Sequence, residues 1–235
     1  AKQAGATGIN VAGICCTANE LLARHGVPIA GNFLAQELAI ATGAVDLMVV
    51  DVQCVMQGLA EVANCYQTKL VTVSDKARLI GVEHCPMEEG NALEQAKAMI
   101  VDAIDRFTKR EKPVEIPNDK RETITGFSHE TISYMLGGRF RGGYGPLNDN
   151  IINGRIRGVV GVVGCTNPKF VHDQGHVDLV AELIKRDCLV LTTGCSSIAC
   201  GKTGMMLPEA QELAGPGLRE VCETVGIPPV LAMGS

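Results

Sequence analysis

The sequence has no long hydrophobic run and no excess of positive charge. None of its apolar stretches approaches the roughly 18 residues that a membrane-spanning helix needs, so we predict no membrane span. The formal net charge is -5, which gives no electrostatic footprint for nucleic acid. No signal peptide is recognisable at the start of the chain. We therefore expect a cytoplasmic protein that binds neither nucleic acid nor a membrane.

Three familiar site motifs are also missing. The segment GCSSIACGKT ends like a phosphate-binding loop, but six residues separate Gly194 from Gly201 where that loop has four. The glycines of GRIRGVVGVVG do not follow the GxGxxG order of a dinucleotide site. No two cysteines have the CxxC spacing of a zinc knuckle. Nucleotide binding and a simple structural zinc site are thus both disfavoured.

Cysteine, in contrast, is abundant, with ten residues in 235. Disulfide frameworks belong mainly to short secreted domains with many loops. This chain is longer than such domains, and no signal peptide is recognisable in it. We expect free thiols. The chain begins at Ala1 without an initiator methionine and stops at Ser235 directly after an apolar run, so we expect it to be a fragment.

Short β-branched runs alternate with amphipathic stretches along the chain, which is typical of an α/β fold with parallel strands covered by helices. We predict two Rossmann-like domains with mostly parallel sheets. The clearest helix spans residues 92–108, with Asn91 as its N-cap and an apolar face that we expect to be buried. That face comprises Leu93, Ala96, Ile100, Ile104 and Phe107. The predicted strands are 10–14, 45–50, 70–73, 157–163, 188–192 and 230–233.

The charged segment KREKPVEIPNDKR (109–121) interrupts this alternation and carries two prolines, as an exposed linker does. We place a domain boundary near Pro117. The predicted domains are residues 1–117, incomplete at the N-terminus, and residues 118–235, incomplete at the C-terminus.

Four cysteines each follow a predicted strand. The ends of parallel strands lie along one edge of a sheet, so we expect these thiols to converge on one crevice. Soft thiolates select iron–sulfur clusters and nickel over hard cations. The sequence therefore predicts a metal site, most simply of the iron–sulfur type. Its predicted ligands are Cys16, Cys54, Cys165 and Cys195. Whether Cys15 or Cys200 also reaches this site stays open.

His172 and His176 are one helical turn apart, a spacing that can chelate a metal. No further cysteine or carboxylate stands at metal spacing apart from Asp173. We favour a solvated helix start over a metal site here.

The segments GICCTANELLARHG, VVDVQCVMQ, VVGCTNP and TTGC, in this order and at these separations, resemble the catalytic subunit of nickel-iron-sulfur carbon monoxide dehydrogenases. The resemblance covers nearly the whole chain. It implies reversible oxidation of CO with water to CO2 at a cluster of nickel, iron and sulfide. By motif, Cys16 corresponds to the ligand of the iron outside the [4Fe-4S]-like cubane. In the same way, Cys54, Cys165 and Cys195 correspond to ligands of the cubane irons.

The resemblance also implies what this chain lacks. In the family, a histidine ligand lies upstream, a nickel-bound cysteine lies downstream, and the acid and base residues lie outside the matching stretch. We therefore expect no catalytic residue in this chain and no turnover by this stretch alone. The resemblance further implies a homodimer, a ferredoxin-like electron acceptor and, in some members, a complex with acetyl-CoA synthase.

Two other functions stay open at this stage. A hydroxylamine reductase of the hybrid-cluster type would have a related fold and cysteines at strand ends, but its cluster would contain iron without nickel. A structural module without redox activity would hold tetrahedral zinc and show no visible charge-transfer absorption.

Overall fold

The computed structural model of the protein describes residues 1–140 and 143–234, apart from the side chains of residues 22–24 and 140. The strands are β1 (Gly13–Ile14), β2 (Ile29–Gly31), β3 (Leu47–Val50), β4 (Lys69–Thr72), β5 (Glu83–His84), β6 (Gly158–Val162), β7 (Cys188–Thr192) and β8 (Val230–Ala232). The α-helices are α1 (Cys15–His25), α2 (Gln36–Ala41), α3 (Leu59–Asn64), α4 (Ala92–Phe107), α5 (His129–Leu136), α6 (Gly145–Ile152), α7 (Gln174–Lys185), α8 (Gly194–Lys202) and α9 (Pro216–Val225). Short 3-10 helices cover Lys2–Ala4, Phe33–Ala35, Gly138–Phe140 and Pro208–Leu213.

The chain forms two compact units. The first comprises Ala1–Val11 and Ala35–Asn118, and the second comprises Ala12–Leu34 and Asp119–Ser235. The division into domains at residues 1–117 and 118–235 stays a prediction.

The first unit is built on a parallel sheet in the order β3-β4-β5. Helices α2 and α3 pack together, and a core around Ile40, Leu59 and Leu70 lies beneath them. Each of these large side chains contributes about 1.5–3 kcal/mol when it is removed from water. Lys69 of β4 forms ion pairs with Asp102 of α4 and with Glu83 of β5, and Arg110, just beyond the end of α4, binds Asp46.

The second unit contains a parallel sheet in the order β6-β7-β8 and the parallel pair β1-β2. Helix α7 packs on β7 and on α8, and α8 also packs on α1. Residues 194–201 of α8 are all buried, because the small side chains of GCSSIACG allow close approach on every side. The largest fully buried side chains of this core are Ile156, Ile184, Leu189, Met206, Leu218, Ile227 and Leu231.

The structure confirms the predicted α/β class, since all strand pairings in the described sheets are parallel and the sheets are flanked by helices. Each of the six predicted strands overlaps an observed one: four observed strands are shorter than predicted, β7 agrees at both ends, and β4 begins and ends one residue earlier than predicted. The strands β2 and β5 were not predicted. Among the described helices, none is both long and apolar enough to cross a bilayer.

The prediction that one face of α4 is buried was wrong: no residue of this helix is fully buried, and two residues of the predicted face are exposed. Leu93 is 67% exposed and Ile100 is 44% exposed. The helix lies on a sheet of only three strands and contacts mainly β3, so that sheet cannot cover the full apolar face. Asn91 does stand at the N-cap, but its side chain makes no capping hydrogen bond.

Candidate metal centre

The four predicted ligands all lie just beyond the ends of strands. Strand β1 ends at Ile14, and α1 begins at the next residue, so Cys16 lies in the first turn of a helix. Cys195 likewise lies in the first turn of α8, three residues after β7 ends. Cys165 and Cys54 lie in the loops that follow β6 and β3.

Three cysteines gather where α1 and α8 begin, within the second unit. The Sγ atoms of Cys15 and Cys195 are 3.3 Å apart, and these residues are 0% and 1% exposed. A side chain on Gly194 would place its Cβ 3.6 Å from Sγ of Cys16, which is only partly buried. Gly194 has a φ of +64°, a left-handed conformation that glycine adopts without strain. Glycine is thus favoured here by the backbone conformation, and the Cys16 thiol lies close to the start of α8.

The two helix starts are joined by the side chain of Asn19. Its Nδ2 atom donates to the carbonyl oxygens of Cys15 and Gly194, both at 3.0 Å, and the residue is 2% exposed. One carbonyl belongs to α1 itself and the other lies 175 positions along the chain. Sequence reasoning did not single out Asn19, because nothing local shows which distant carbonyl its amide reaches.

The surroundings of Cys195 favour its thiolate. Hydrogen bonding from the Cys15 thiol lowers the pKa of Cys195 most, and backbone groups of Phe33 and Thr166 lower it further, to about 5 despite burial. The first turn of a helix adds unpaired backbone N–H groups that favour negative charge. Cys195 is therefore a thiolate near neutral pH, the form that binds metals.

Cys165 precedes Thr166 in the chain, and the backbone of Thr166 is one of the groups that lower the pKa of Cys195 by hydrogen bonding. The loop that carries Cys165 therefore passes the Cys195 sulfur. Cys165 itself is exposed.

Cys54 lies in the first unit. Its φ is +57°, and Cys15 in the second unit has a φ of +60°. A left-handed backbone costs a residue with a side chain roughly 1–2 kcal/mol, so it persists only where the surroundings hold it. At Cys54 the buried Gln36 supplies such a contact, since its Nε2 donates to the Cys54 carbonyl oxygen at 3.0 Å. Strain of this kind concentrates at functional sites.

Cys200 does not share the character of Cys195. It is fully buried in the apolar core of the second unit. Burial and the nearby charge of Asp173 raise its pKa to about 12. Cys200 is thus a protonated thiol that packs like a small apolar side chain.

A polar network fixes the start of α7 in the same unit. Asp173 accepts from Nδ2 of Asn32 at 2.6 Å and from Nζ of Lys202 at 2.5 Å. His172 Nε2 lies 2.7 Å from Oδ1 of Asn32, which is fully buried. His172 therefore contacts protein side chains as well as solvent. Lys202, which a phosphate-binding loop would direct at a phosphate, forms an ion pair with Asp173 instead. Sequence reasoning missed Asn32 and the left-handed Asp173, whose φ is +64°.

The chemistry of these groups fits a soft-metal cluster. Thiols converge at two helix starts, one is held as a thiolate, and the N–H groups of the helix starts favour an anionic, sulfide-rich ligand. The carboxylate of Asp173, at the start of α7, already accepts hydrogen bonds from Asn32 and Lys202. The arrangement suits iron or nickel better than a hard cation.

Comparison with known proteins agrees with this chemistry. Residues 1–235 match the Prismane/CO dehydrogenase family. Carbon monoxide dehydrogenase 1 of Methanosarcina acetivorans is 52% identical over 236 residues, which cover 100% of this chain and 37% of that protein. Carbon monoxide dehydrogenase 1 of Carboxydothermus hydrogenoformans is 45% identical over 247 residues, which cover 100% of this chain and 39% of that protein.

Solved structures give the same result. Carbon monoxide dehydrogenase IV from Carboxydothermus hydrogenoformans has a TM-score of 0.93 at 51% identity, covering 100% of this chain and 39% of that one. A structure of acetyl-CoA synthase/carbon monoxide dehydrogenase, with NiZn[Fe4S4] and NiNi[Fe4S4] clusters in its alpha subunits, has a TM-score of 0.92 at 40% identity. It too is matched over 100% of this chain, which covers 37% of that one.

The chain therefore spans 37 to 39% of the length of these relatives. The match extends from its first residue to its last, and the resemblance inferred from the cysteine motifs is confirmed. This chain belongs to the Prismane/CO dehydrogenase family.

Proposed function

We propose that this chain is part of a carbon monoxide dehydrogenase and that Cys16, Cys54, Cys165 and Cys195 hold its nickel-iron-sulfur cluster. The full-length protein would catalyse the reversible reaction of CO with water to CO2, two protons and two electrons. The observation that carries this proposal is the gathering of thiols at the starts of α1 and α8, with one of them held as a thiolate.

When bound, such a cluster supplies the two-electron redox chemistry that no protein side chain can supply alone. The residues of this chain bind and orient it. The Cys195 thiolate offers a soft anionic donor without first losing a proton at neutral pH. The helix starts at Cys16 and Cys195 present N–H groups toward negative charge. Cys15, fully buried against Cys195, donates to its sulfur and so helps to set the charge at the site.

The partners follow from the same proposal. CO, CO2 and water are the substrates, and a ferredoxin-like protein accepts the electrons. A homodimer in the cytoplasm is the expected form. Acetyl-CoA synthase is a further candidate partner, supported by the similarity to the acetyl-CoA synthase/carbon monoxide dehydrogenase structure.

The test is metal analysis and CO-dependent reduction of methyl viologen by the full-length protein carrying this sequence. Each CO oxidised should reduce two viologens, since the dye takes one electron at a time. We expect nickel together with iron, and CO-dependent reduction. Cys195→Ala should lose most of the nickel and the viologen reduction together, because it removes a ligand that is already a thiolate.

Cys188→Ala is the matched control. Cys188 lies at the first residue of β7, and its thiol reaches only as far as the Arg186 carbonyl oxygen, at 3.8 Å. This variant should keep both nickel and activity. Iron without nickel in the unaltered protein would instead support a hydroxylamine reductase, and zinc alone would support a structural module. Full nickel content in Cys195→Ala would contradict the ligand assignment.

A further inference from the structure

The buried amide of Asn19 donates hydrogen bonds to two backbone carbonyl oxygens, those of Cys15 and Gly194. The Cys15 carbonyl belongs to the peptide bond that leads into Cys16, and the Gly194 carbonyl belongs to the peptide bond that leads into Cys195. Both hydrogen bonds are 3.0 Å long. A single side-chain nitrogen therefore ties together the two peptide bonds that precede two proposed cluster ligands.

From this geometry we infer that Asn19 is a positioning residue, which sets the spacing of the Cys16 and Cys195 backbones for the cluster. The inference rests on the proposed function for its purpose, but the contact itself does not depend on any metal. The Nδ2 atom of Asn19 contacts the backbone oxygens that precede Cys16 and Cys195, so its role is exerted through these cysteines.

The chemistry of the contact explains why an amide stands here. An Nδ2 group carries two hydrogens, which is the number needed to serve two acceptors at once. Aspartate has the same shape but only accepts, so it would turn a carboxylate oxygen toward two carbonyl oxygens in a buried position. Leucine fills a similar volume but donates nothing. Glutamine keeps the amide on a longer stem and can restore at least part of the bridge.

The spacing of two sulfur atoms reports on this bridge without any metal. Cys15 is on the α1 side and Cys195 on the α8 side of the hydrogen bonds made by Asn19, and their Sγ atoms are 3.3 Å apart. In the metal-free protein, diamide can oxidise this pair: two thiols lose two protons and two electrons to form one disulfide, and diamide becomes the hydrazine. The rate of this reaction depends on how closely the two sulfurs are held.

The experiment measures disulfide formation between Cys15 and Cys195 in the metal-free, full-length protein, in a Cys16→Ser background, with the bond located by mass spectrometry. We expect Asn19→Leu and Asn19→Asp to slow this oxidation on the order of tenfold, since misplacing fixed reacting groups by about 1 Å can slow a reaction by up to about 100-fold. Asn19→Gln should recover part of the rate. If Asn19→Leu does not fold, Asn19→Ser takes its place as the variant that loses the double donor.

Val180→Ala is the control for a general loss of stability. Val180 is fully buried in α7, in the apolar core of the same unit, and its truncation leaves a cavity. Compared at temperatures equally far below their unfolding midpoints, Val180→Ala should keep the fast disulfide rate and the Asn19 variants should not. Equal rates in Asn19→Leu and Val180→Ala would overturn the inference. So would an unaltered protein in which Cys15 and Cys195 do not react.

A second measurement links the bridge to the cluster. In the metal-loaded, full-length protein, Asn19→Gln should retain a single set of electron paramagnetic resonance signals, whereas Asn19→Asp should show broadened or multiple signals and less nickel. Signals in Asn19→Asp identical to those of the unaltered protein would overturn the positioning role. If the unaltered protein binds no nickel, the proposed function fails, and the disulfide rates still decide whether Asn19 sets the spacing.

Discussion

Replacing Asp173 with alanine should destabilise the second unit through the loss of one buried hydrogen bond. Asp173 accepts from Asn32, which is fully buried, and from Lys202, whose side chain is 44% exposed. Without the carboxylate, the Asn32 amide loses its acceptor, at a cost of about 1–3 kcal/mol. Lys202 can return to water, so its ion pair adds at most about 1 kcal/mol. We expect a total loss of about 1–4 kcal/mol.

Asp173→Asn should cost only about 1 kcal/mol, because an amide oxygen can still accept from Asn32 and only the charge opposite Lys202 is lost. Asp173→Gly should be more stable than Asp173→Ala by roughly 1 kcal/mol, since glycine adopts the positive φ of this position without strain. The order of stability is therefore Asn, then Gly, then Ala.

The assay is chemical denaturation of the metal-free, full-length protein, with hydrogen exchange in α7 and α8 to locate the effect. Asp178→Ala is the matched control on the same helix: Asp178 is exposed and bonds only Gln174, at 2.6 Å, so its loss should stay within about 0.5 kcal/mol. An Asp173→Ala variant as stable as Asp178→Ala would refute the reasoning, as would equal losses for alanine and asparagine at position 173.

Three further predictions concern other parts of the chain. Arg110→Ala should destabilise the first unit by about 1.5–3 kcal/mol in denaturant titrations, because Arg110 binds both oxygens of Asp46, at 2.7 and 2.6 Å. Arg106→Ala removes an ion pair that is 3.9 Å long and should cost less than about 1 kcal/mol. Gly13→Ala should lower stability by about 1–3 kcal/mol, because its Cβ would lie 2.6 Å from Cα of Ala18, whereas Gly161→Ala enters open space and should change little. The lowered pKa of Cys195 stabilises the metal-free fold fully above pH 9.0, and this contribution should fall as the pH drops toward about 5. Cys15→Ala should weaken that dependence in thermal unfolding followed across this range, and an unchanged profile would contradict the assigned cause.

Much of the fold follows from local patterns. Strands such as β6 and β7 are apolar runs of five residues, so their positions are evident from the sequence. Strands β2 and β5 have only three and two residues, too few to show a period, and they form because a neighbouring strand supplies hydrogen bonds. The exposure of Leu93 is a tertiary effect: the pattern gives an apolar face, but only the size of the sheet decides how much of it is covered.

The candidate site also has a part that the sequence predicts and a part that it does not. Cysteines after strands are visible in the sequence, because strand ends are local features. The contact of Cys15 with Cys195 spans 180 positions, and the bridge of Asn19 to Gly194 spans 175. Such contacts depend on how α1 and α8 pack and on the left-handed backbone conformation of Cys15. The sequence does not predict that conformation, because cysteine rarely adopts it. Family motifs identified the proposed ligands, whereas the residues that hold them in place required coordinates.

Anomalous diffraction from crystals of the full-length protein at the iron and nickel absorption edges tests the central claim most directly. The account predicts iron peaks within bonding distance of the sulfur atoms of Cys16, Cys54, Cys165 and Cys195, with a nickel peak in the same group of atoms. Four sulfur atoms without a shared metal peak, or a lone zinc between any of them, would contradict it.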